Sequence, residues 1–341
     1  MINTNEWAYK AEGNAHIVLV YTGKTPQHIG TVLKIKKAPI EKSGILESLE
    51  TNRDLIDQQE YFELISGLLG AKFTTPAKRI YLSQKELQQI HIDIYKYRPI
   101  NRLKKSIDFA TPLIYQSIDA SSCSGLENVY TVEFKPKWGF LPSSEFIGHS
   151  SASNLFELEQ PFFRSFINGK ECGLSHEEKQ SLIFKISKVI YTSKVLMTLG
   201  KLQQLFDKYD IEHIKSVYEK NPDIVLGIND FRAAVRSYLN RDKQVKDTVA
   251  IKMAKFLIST TLKDVSILIS FAQDNPGLVE YLKSNKTQPW EKYSSETAGT
   301  FYARIVIIDL DQKQQSKIPE YFLKDHKIVQ NFIKKMNIGT D

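Results

Sequence analysis

Two apolar runs near the end of the chain, Val265-Ser-Ile-Leu-Ile-Ser-Phe271 and Tyr302-Ala-Arg-Ile-Val-Ile-Ile308, constrain the fold more than any other feature. Their length and their Val, Ile, Phe and Tyr content predict buried β-strands. Asp264 immediately precedes the first and Asp309 immediately follows the second. In an antiparallel pair the start of one strand lies beside the end of the other, so both carboxylates would emerge at the same sheet edge. Two acids so placed suit one proton acceptor and one cation ligand, the combination that phosphoryl transfer uses. The simpler alternative is that each aspartate merely ends a strand.

The rest of the chain alternates between the two periodicities. Trp7–Tyr9, Ile17–Tyr21 and Val32–Lys36 read as strands, with the small-residue turn Glu12-Gly-Asn-Ala15 before the second and Thr22-Gly-Lys-Thr-Pro26 after it. Residues 45–69 carry apolar positions spaced mostly by three or four and predict a helix. Leu113–Tyr115 and Val129–Phe134 read as strands flanking a polar stretch, Asp119–Asn128, where a boundary between two lobes is expected. Ser175-His-Glu-Glu178 has the form of a capping box and opens a helical region. Helices are expected over Asp230–Leu239, with Asn229 as cap, over Lys246–Thr260, and after Pro319 across Tyr321–Met336. This order predicts an α+β protein with a sheet-rich N-terminal part, residues 1–120, and a larger, mixed and helix-rich part, residues 121–341.

Lys and Arg exceed Asp and Glu by 46 to 39 in 341 residues, a surplus of +7 that favours an anionic partner. Thirty-seven of the 46 are Lys and nine are Arg. Base-edge readout leans on Arg, so sequence-specific nucleic-acid binding is not expected. Cys123 and Cys172, the two cysteines, form neither a zinc pattern nor a disulfide framework, and no zinc is expected. With no secretory signal in the first residues and no apolar run near the roughly 20 residues of a membrane helix, the expected setting is intracellular, without membrane insertion.

Charged residues cluster in Glu133-Phe-Lys135-Pro-Lys137-Trp-Gly-Phe-Leu-Pro142. On an extended segment Glu133, Lys135 and Lys137 would share one side, and lysines so spaced suit phosphate oxygens. An edge strand guarded by lysines would look the same. Gly13, Asn14 and Ala15 could let backbone N–H groups approach a phosphate, although an ordinary hairpin turn has this composition too. Lys34 sits where a nucleotide-contacting lysine sits in kinase-like sheets, though a solvent-facing lysine is commoner. Lys313, Lys317 and Tyr321 follow Asp309 at spacings of four and could line an anion site or form a solvated face. His16 and His176 read as surface or capping residues.

Taken together, Glu12–Tyr21, Val32–Lys37, Arg98-Pro99, Glu133–Pro142, Lys263–Ser270 and Ile308–Leu310 with Lys313, Lys317 and Tyr321 resemble the inositol-pentakisphosphate 2-kinase family, in that family's order. The E-x-K-P-K-x-G-F-L-P box is the most specific of these. The R-F-x-M-H-Q-like box that commonly follows it is absent, the region reading Ser150-Ser-Ala-Ser-Asn-Leu-Phe156. Pro161-Phe-Phe163 replaces an Asn-Asn-Phe element, although Arg164 fits the pattern.

The resemblance implies a two-lobed kinase-like fold that moves the γ-phosphoryl of ATP to the 2-hydroxyl of inositol pentakisphosphate, giving the hexakisphosphate. It implies Asp264 as base, Asp309 as the Mg2+ ligand and Lys135 on the transferring phosphate. Gly13, Asn14, Ala15, Lys34 and Glu133 would serve the nucleotide, with Leu113–Ser117, including Tyr115, as hinge against adenine. Arg98, Lys137, Lys313, Lys317 and Tyr321, together with Arg164, would hold substrate phosphates. A monomer in nucleus or cytoplasm is the accompanying expectation. Two other readings compete. A protein kinase is disfavoured because no H-R-D-x-x-x-x-N or D-F-G motif is present. A non-catalytic inositide- or RNA-binding protein would need the lysines but neither Asp264 nor Asp309.

Overall fold

The computed structural model describes residues 3–25, 27–40, 50–75, 77–110, 113–119, 126, 128–137, 163–173, 175–239, 247–284, 290–295 and 299–338. The expectations for Trp138–Pro142 and for residues 150–162 lie outside these. The protein is α+β, with two antiparallel sheets and, among the described residues, nine α-helices.

The first sheet runs β1 (Trp7–Glu12), β2 (His16–Tyr21), β3 (Thr31–Pro39), β6 (Leu113–Ile118) and β4 (Lys78–Tyr81) in spatial order, with β5 (Lys105–Ile107) paired to β3. Alternation divides its faces. Ile17, Leu19, Leu33 and Ile35 are fully buried against Leu87, Ile90 and Ile94 of α2 (Gln84–Tyr95). Ser83 caps that helix in a box with Glu86. The register sets His16 opposite Lys36, Val18 opposite Lys34, and Lys34 opposite Tyr115, so these residues occupy the face away from α2.

The second sheet runs β11 (Glu291–Ser295), β12 (Gly299–Ile308), β10 (Ser266–Gln273), β7 (Tyr130–Phe134), β8 (Phe163–Ile167) and β9 (Lys170–Glu171). β10 and β12 pair antiparallel, with Ser266 opposite Ile308, which meets the condition for Asp264 and Asp309 to share one edge. β7 is central rather than an edge strand. One face, with Val132, Ile267, Ile269, Ala303, Ile305 and Ile307, joins the larger core. The other carries Thr131, Glu133, Ser266, Leu268, Ser270, Arg304 and Val306, all buried.

Helices α3 (His176–Ser193), α4 (Val195–Phe206), α5 (Ile211–Lys220), α6 (Ile228–Leu239), α7 (Val249–Lys263) and α9 (Ile318–Ile338) follow in order, with α8 (Pro276–Ser284) between β10 and β11. The Ser175–Glu178 capping box is present. Asn229, the expected cap of α6, lies one residue inside that helix. The Asp230 carboxylate instead accepts from the Gly227 N–H ahead of it. α7 is buried almost all round, through Met253, Ala254, Phe256, Leu257, Ile258 and Leu262, as its apolar content requires. No described helix is long and apolar enough to cross a membrane.

α1 (Glu50–Leu69) departs from the expected division at residue 120. Tyr61, Ile65 and Leu69, spaced by four, are buried in the cluster built from α4–α7 and the second sheet. Tyr61 Oη lies 2.8 Å from Thr261 Oγ1 of α7, and Arg232 of α6 is 3.2 Å from Glu60. Just beyond α1, the Phe73 carbonyl accepts from the Ile307 N–H of β12 at 2.7 Å. The N-terminal stretch therefore contributes to both cores, because a helix docks wherever its apolar stripe finds a partner.

Candidate active site

The β10–β12 pairing delivers the two aspartates to one edge. Asp264 is the residue that ends α7, and Asp309 follows β12 with φ 65°, in the left-handed region. Aspartate tolerates that conformation better than most side chains. Ser266 Oγ donates to Asp309 Oδ2 at 3.2 Å and helps fix the carboxylate.

Four lysines from three parts of the chain meet these acids. Lys313 Nζ lies 2.5 Å from Asp264 Oδ2, and Lys137 Nζ 3.5 Å from Asp264 Oδ1. Lys135 bridges the pair, 3.6 Å from Asp264 and 3.5 Å from Asp309, and donates to the Asp264 carbonyl at 3.1 Å. Lys34, from the first sheet, is 3.9 Å from Asp309 Oδ1. The expected alternation of Glu133, Lys135 and Lys137 stops where β7 ends at Phe134 and Lys137 takes φ 49°. Both lysines reach Asp264 and Glu133 does not. Glu133 is buried and bound to Arg164 at 2.6 Å across the β7–β8 pair.

The electrostatics follow from this crowd of charge. Burial alone would raise the Asp264 carboxyl, but Lys313, Lys135 and Lys137 override it and hold it at about 2. Burial pulls Lys34 down, and Asp311 and Asp309 more than restore it, leaving its ammonium above the ordinary range. Asp311 is likewise held low, burial notwithstanding, by Lys34, His16 and Lys313. Burial lowers His16, which lies 3.6 Å from Asp311. Tyr321 is pushed up to about 12 by burial first, then by Asp264 and Glu320. Burial, with a further push from Asp311, raises Tyr115 to about 12.

Sequence reasoning missed three contributors. Asp311 and His16 form a contact between the two sheets, so His16 is not an ordinary surface residue. Its position directly after the small-residue turn was the available signal. Gln203 of α4 is fully buried; its amide donates to the Lys137 carbonyl at 2.6 Å and the Leu262 carbonyl at 2.9 Å. It thereby ties the lysine segment to the end of α7. Nothing in the local sequence distinguishes it from other helical glutamines.

The other expected site residues fall around this centre. Gly13, Asn14 and Ala15 are exposed in the β1–β2 turn, and a side chain at Gly13 would meet nothing within 4 Å. Lys317 precedes α9 and has no carboxylate partner among the described residues; Tyr321 lies in its first turn. Leu113 opens β6. Arg98, expected on a substrate phosphate, is instead buried on Glu12, 2.8 Å from each carboxylate oxygen.

Oxygen donors of this kind suit a hard divalent cation, which commonly takes one or two carboxylates and completes its shell with water and substrate phosphate. Among the described residues no three His, Cys, Asp or Glu side chains could hold a metal ion by themselves. Asp309, with Asp264 across the edge, fits the cation that shares its ligands with phosphate.

The profile of the inositol-pentakisphosphate 2-kinases matches residues 9–156 and 149–327. The inositol-pentakisphosphate 2-kinase of Arabidopsis thaliana is 24% identical over 434 aligned positions, covering 98% of this chain and 94% of the relative. That of Oryza sativa subsp. indica is 24% identical, covering 99% and 96%. That of Cryptococcus neoformans var. neoformans is 23% identical, covering 95% and 92%. These matches place the chain among the kinases. It belongs to the inositol-pentakisphosphate 2-kinase family.

Proposed function

We infer that this protein transfers the γ-phosphoryl of ATP to the 2-hydroxyl of inositol 1,3,4,5,6-pentakisphosphate, forming inositol hexakisphosphate. The observation that carries the reading is the meeting of Asp264, Asp309, Lys34, Lys135, Lys137 and Lys313 at one sheet edge, in a chain of this family. We read the two sheets as the facing parts of a two-lobed kinase-like fold. Lys34 and Tyr115 project from the first towards the acids of the second, and Leu268, Val306 and Ile308 form a small apolar cluster beside Asp309 suited to a flat base.

Without substrate, the three carboxylates of Asp264, Asp309 and Asp311 offset all but one of the four lysine charges. Five phosphates bring roughly −8 to −10 charges, and lysine ammonium groups can turn from carboxylate to phosphate as mobile point charges. Lys137, Lys313 and Lys317, with Tyr321, would then hold the inositide, and Lys135 would stay with the transferring group. Relieved of its lysines, Asp264 becomes a better proton acceptor. The 2-hydroxyl oxygen bonds to the γ-phosphorus, the bond to the β-bridging oxygen breaks to release ADP, and the hydroxyl proton passes to Asp264. Asp309 would hold a divalent cation, Mg2+ in this reading, which supplies neutralisation of phosphate charge. The loose transition state asks mainly for such positioning and electrostatics.

The test is transfer from γ-labelled ATP to the pentakisphosphate in the presence of magnesium, resolved by anion exchange. Labelled hexakisphosphate supports the reading. Tight binding of the pentakisphosphate without turnover would put a non-catalytic inositide-binding protein in its place.

A further inference from the structure

We propose that Arg98 is a positioning residue for the nucleotide loop, acting through Glu12, and not a ligand of the inositide. The proposal rests on the kinase reading above and adds a role that reading does not contain.

The geometry comes from one buried charge cluster. The side chains of Glu12, Lys37 and Arg98 are 0%, 1% and 1% exposed. Arg98 grips Glu12 with Nε on one carboxylate oxygen and Nη2 on the other, both at 2.8 Å. Such a bidentate fork fixes orientation as well as distance. Lys37 Nζ donates to the same carboxylate and, at 2.9 Å, to the Gly13 carbonyl. Arg98 Nη2 also donates to the carbonyls of Arg102 at 3.2 Å and Lys105 at 2.7 Å. From that same segment Arg102 reaches Asn14 Oδ1 at 2.5 Å and Lys105 reaches the Asn14 carbonyl at 3.1 Å.

The consequence is a stiff root under an exposed turn. Gly13, Asn14 and Ala15 stand in solvent with open space around Gly13, yet the carboxylate before them is locked and two of their polar groups are held by residues 102 and 105. Two cations face one anion, so the cluster leaves a net positive charge directly behind the turn. Both effects favour a triphosphate lying over the turn beyond Gly13, whose own N–H already donates to the His16 carbonyl at 2.9 Å. Arg98 itself is spent on this root: Nε and Nη2 are directed at Glu12 and two carbonyls, and the side chain is closed to solvent. Burying three charges costs stability unless every partner is satisfied, and here the partners that satisfy them belong to the loop and to the segment that braces it.

The experiment uses Arg98→Gln, Glu12→Gln and the double variant of the full chain. Calorimetry measures affinity for a non-hydrolysable ATP analogue and, separately, for inositol pentakisphosphate; steady-state assays give KM for each. We expect nucleotide Kd and KM to rise about tenfold or more in each single variant, as small misplacements of a binding element do. Inositide affinity should stay within twofold, and the double variant should be no worse than the worse single one. A rise confined to the inositide in Arg98→Gln, with Glu12→Gln unaffected, would overturn the proposal and make Arg98 a substrate ligand. Equal loss of both ligands would reduce the cluster to a structural role. If Arg98→Gln does not fold, Glu12→Gln, which keeps size and shape, decides between the same outcomes. Absence of turnover in the wild type would sink the kinase reading, while the calorimetric comparison would still test the loop.

Discussion

Replacing Asp264 by Asn keeps the shape of the side chain and removes the charge that Lys135, Lys137 and Lys313 face. The carboxyl is held at about 2 against an ordinary 3.8. A lowered carboxyl pKa adds stability above the unfolded-state value, and that contribution disappears as pH falls through the folded value. The difference converts to about 2.5 kcal/mol before solvent screening. Because the side chain is 45% exposed, screening leaves about 1 kcal/mol. Asp264→Asn should therefore fold, melt about 1–2 °C lower at pH 7, and converge with the wild type as pH approaches 2. Catalysis should suffer far more, since a positioned proton acceptor contributes about 10²- to 10⁴-fold. Binding of the pentakisphosphate should be unchanged or tighter, because three ammonium groups lose a competing carboxylate. Label transfer at saturating ATP gives kcat, calorimetry gives Kd, and thermal melts from pH 2 to 7 give the stability difference. A kcat within about threefold of wild type would refute Asp264 as base. A stability difference that grows towards pH 2 would refute the electrostatic account.

Asp309→Asn should lower kcat at least about a hundredfold at every magnesium concentration with the circular dichroism spectrum intact, and normal kcat at saturating magnesium would reject its cation role. Lys313→Ala should raise KM for the inositide about tenfold while leaving KM for ATP nearly constant; an effect confined to ATP would move Lys313 to the nucleotide. Gln203→Leu leaves the Lys137 and Leu262 carbonyls without their buried donor, so urea unfolding should report about 1–3 kcal/mol of lost stability. Its kcat should fall with it, whereas unaltered activity would show that Lys137 does not depend on this tether.

The two Asp-bounded strands, the lysines after β7 and the spacing of Lys313, Lys317 and Tyr321 were legible in the sequence because they depend on short-range rules. Strand length and composition mark both strands and set an aspartate at one end of each; the antiparallel pairing of β10 with β12 then brings Asp264 and Asp309 together. The helices α1, with its apolar positions spaced by three or four, and α7, apolar along most of its length, were legible for the same reason. What each stripe packs against was not. Tyr61 docks on Thr261, 200 positions away, so α1 joined a core that its place in the sequence did not indicate. Arg98 and Glu133 had the charge for ligand binding, but only the tertiary structure seats them on Glu12 and Arg164. A buried charge must be met by an opposite one, and the nearest partner in space is set by strand register and loop path. His16 against Asp311, and Gln203 under Lys137, depend likewise on how the sheets and α4 come together. Residue type and local spacing mark which side chains are able to do phosphoryl chemistry; register and packing choose which of them stand at the reacting edge and which hold that edge in place.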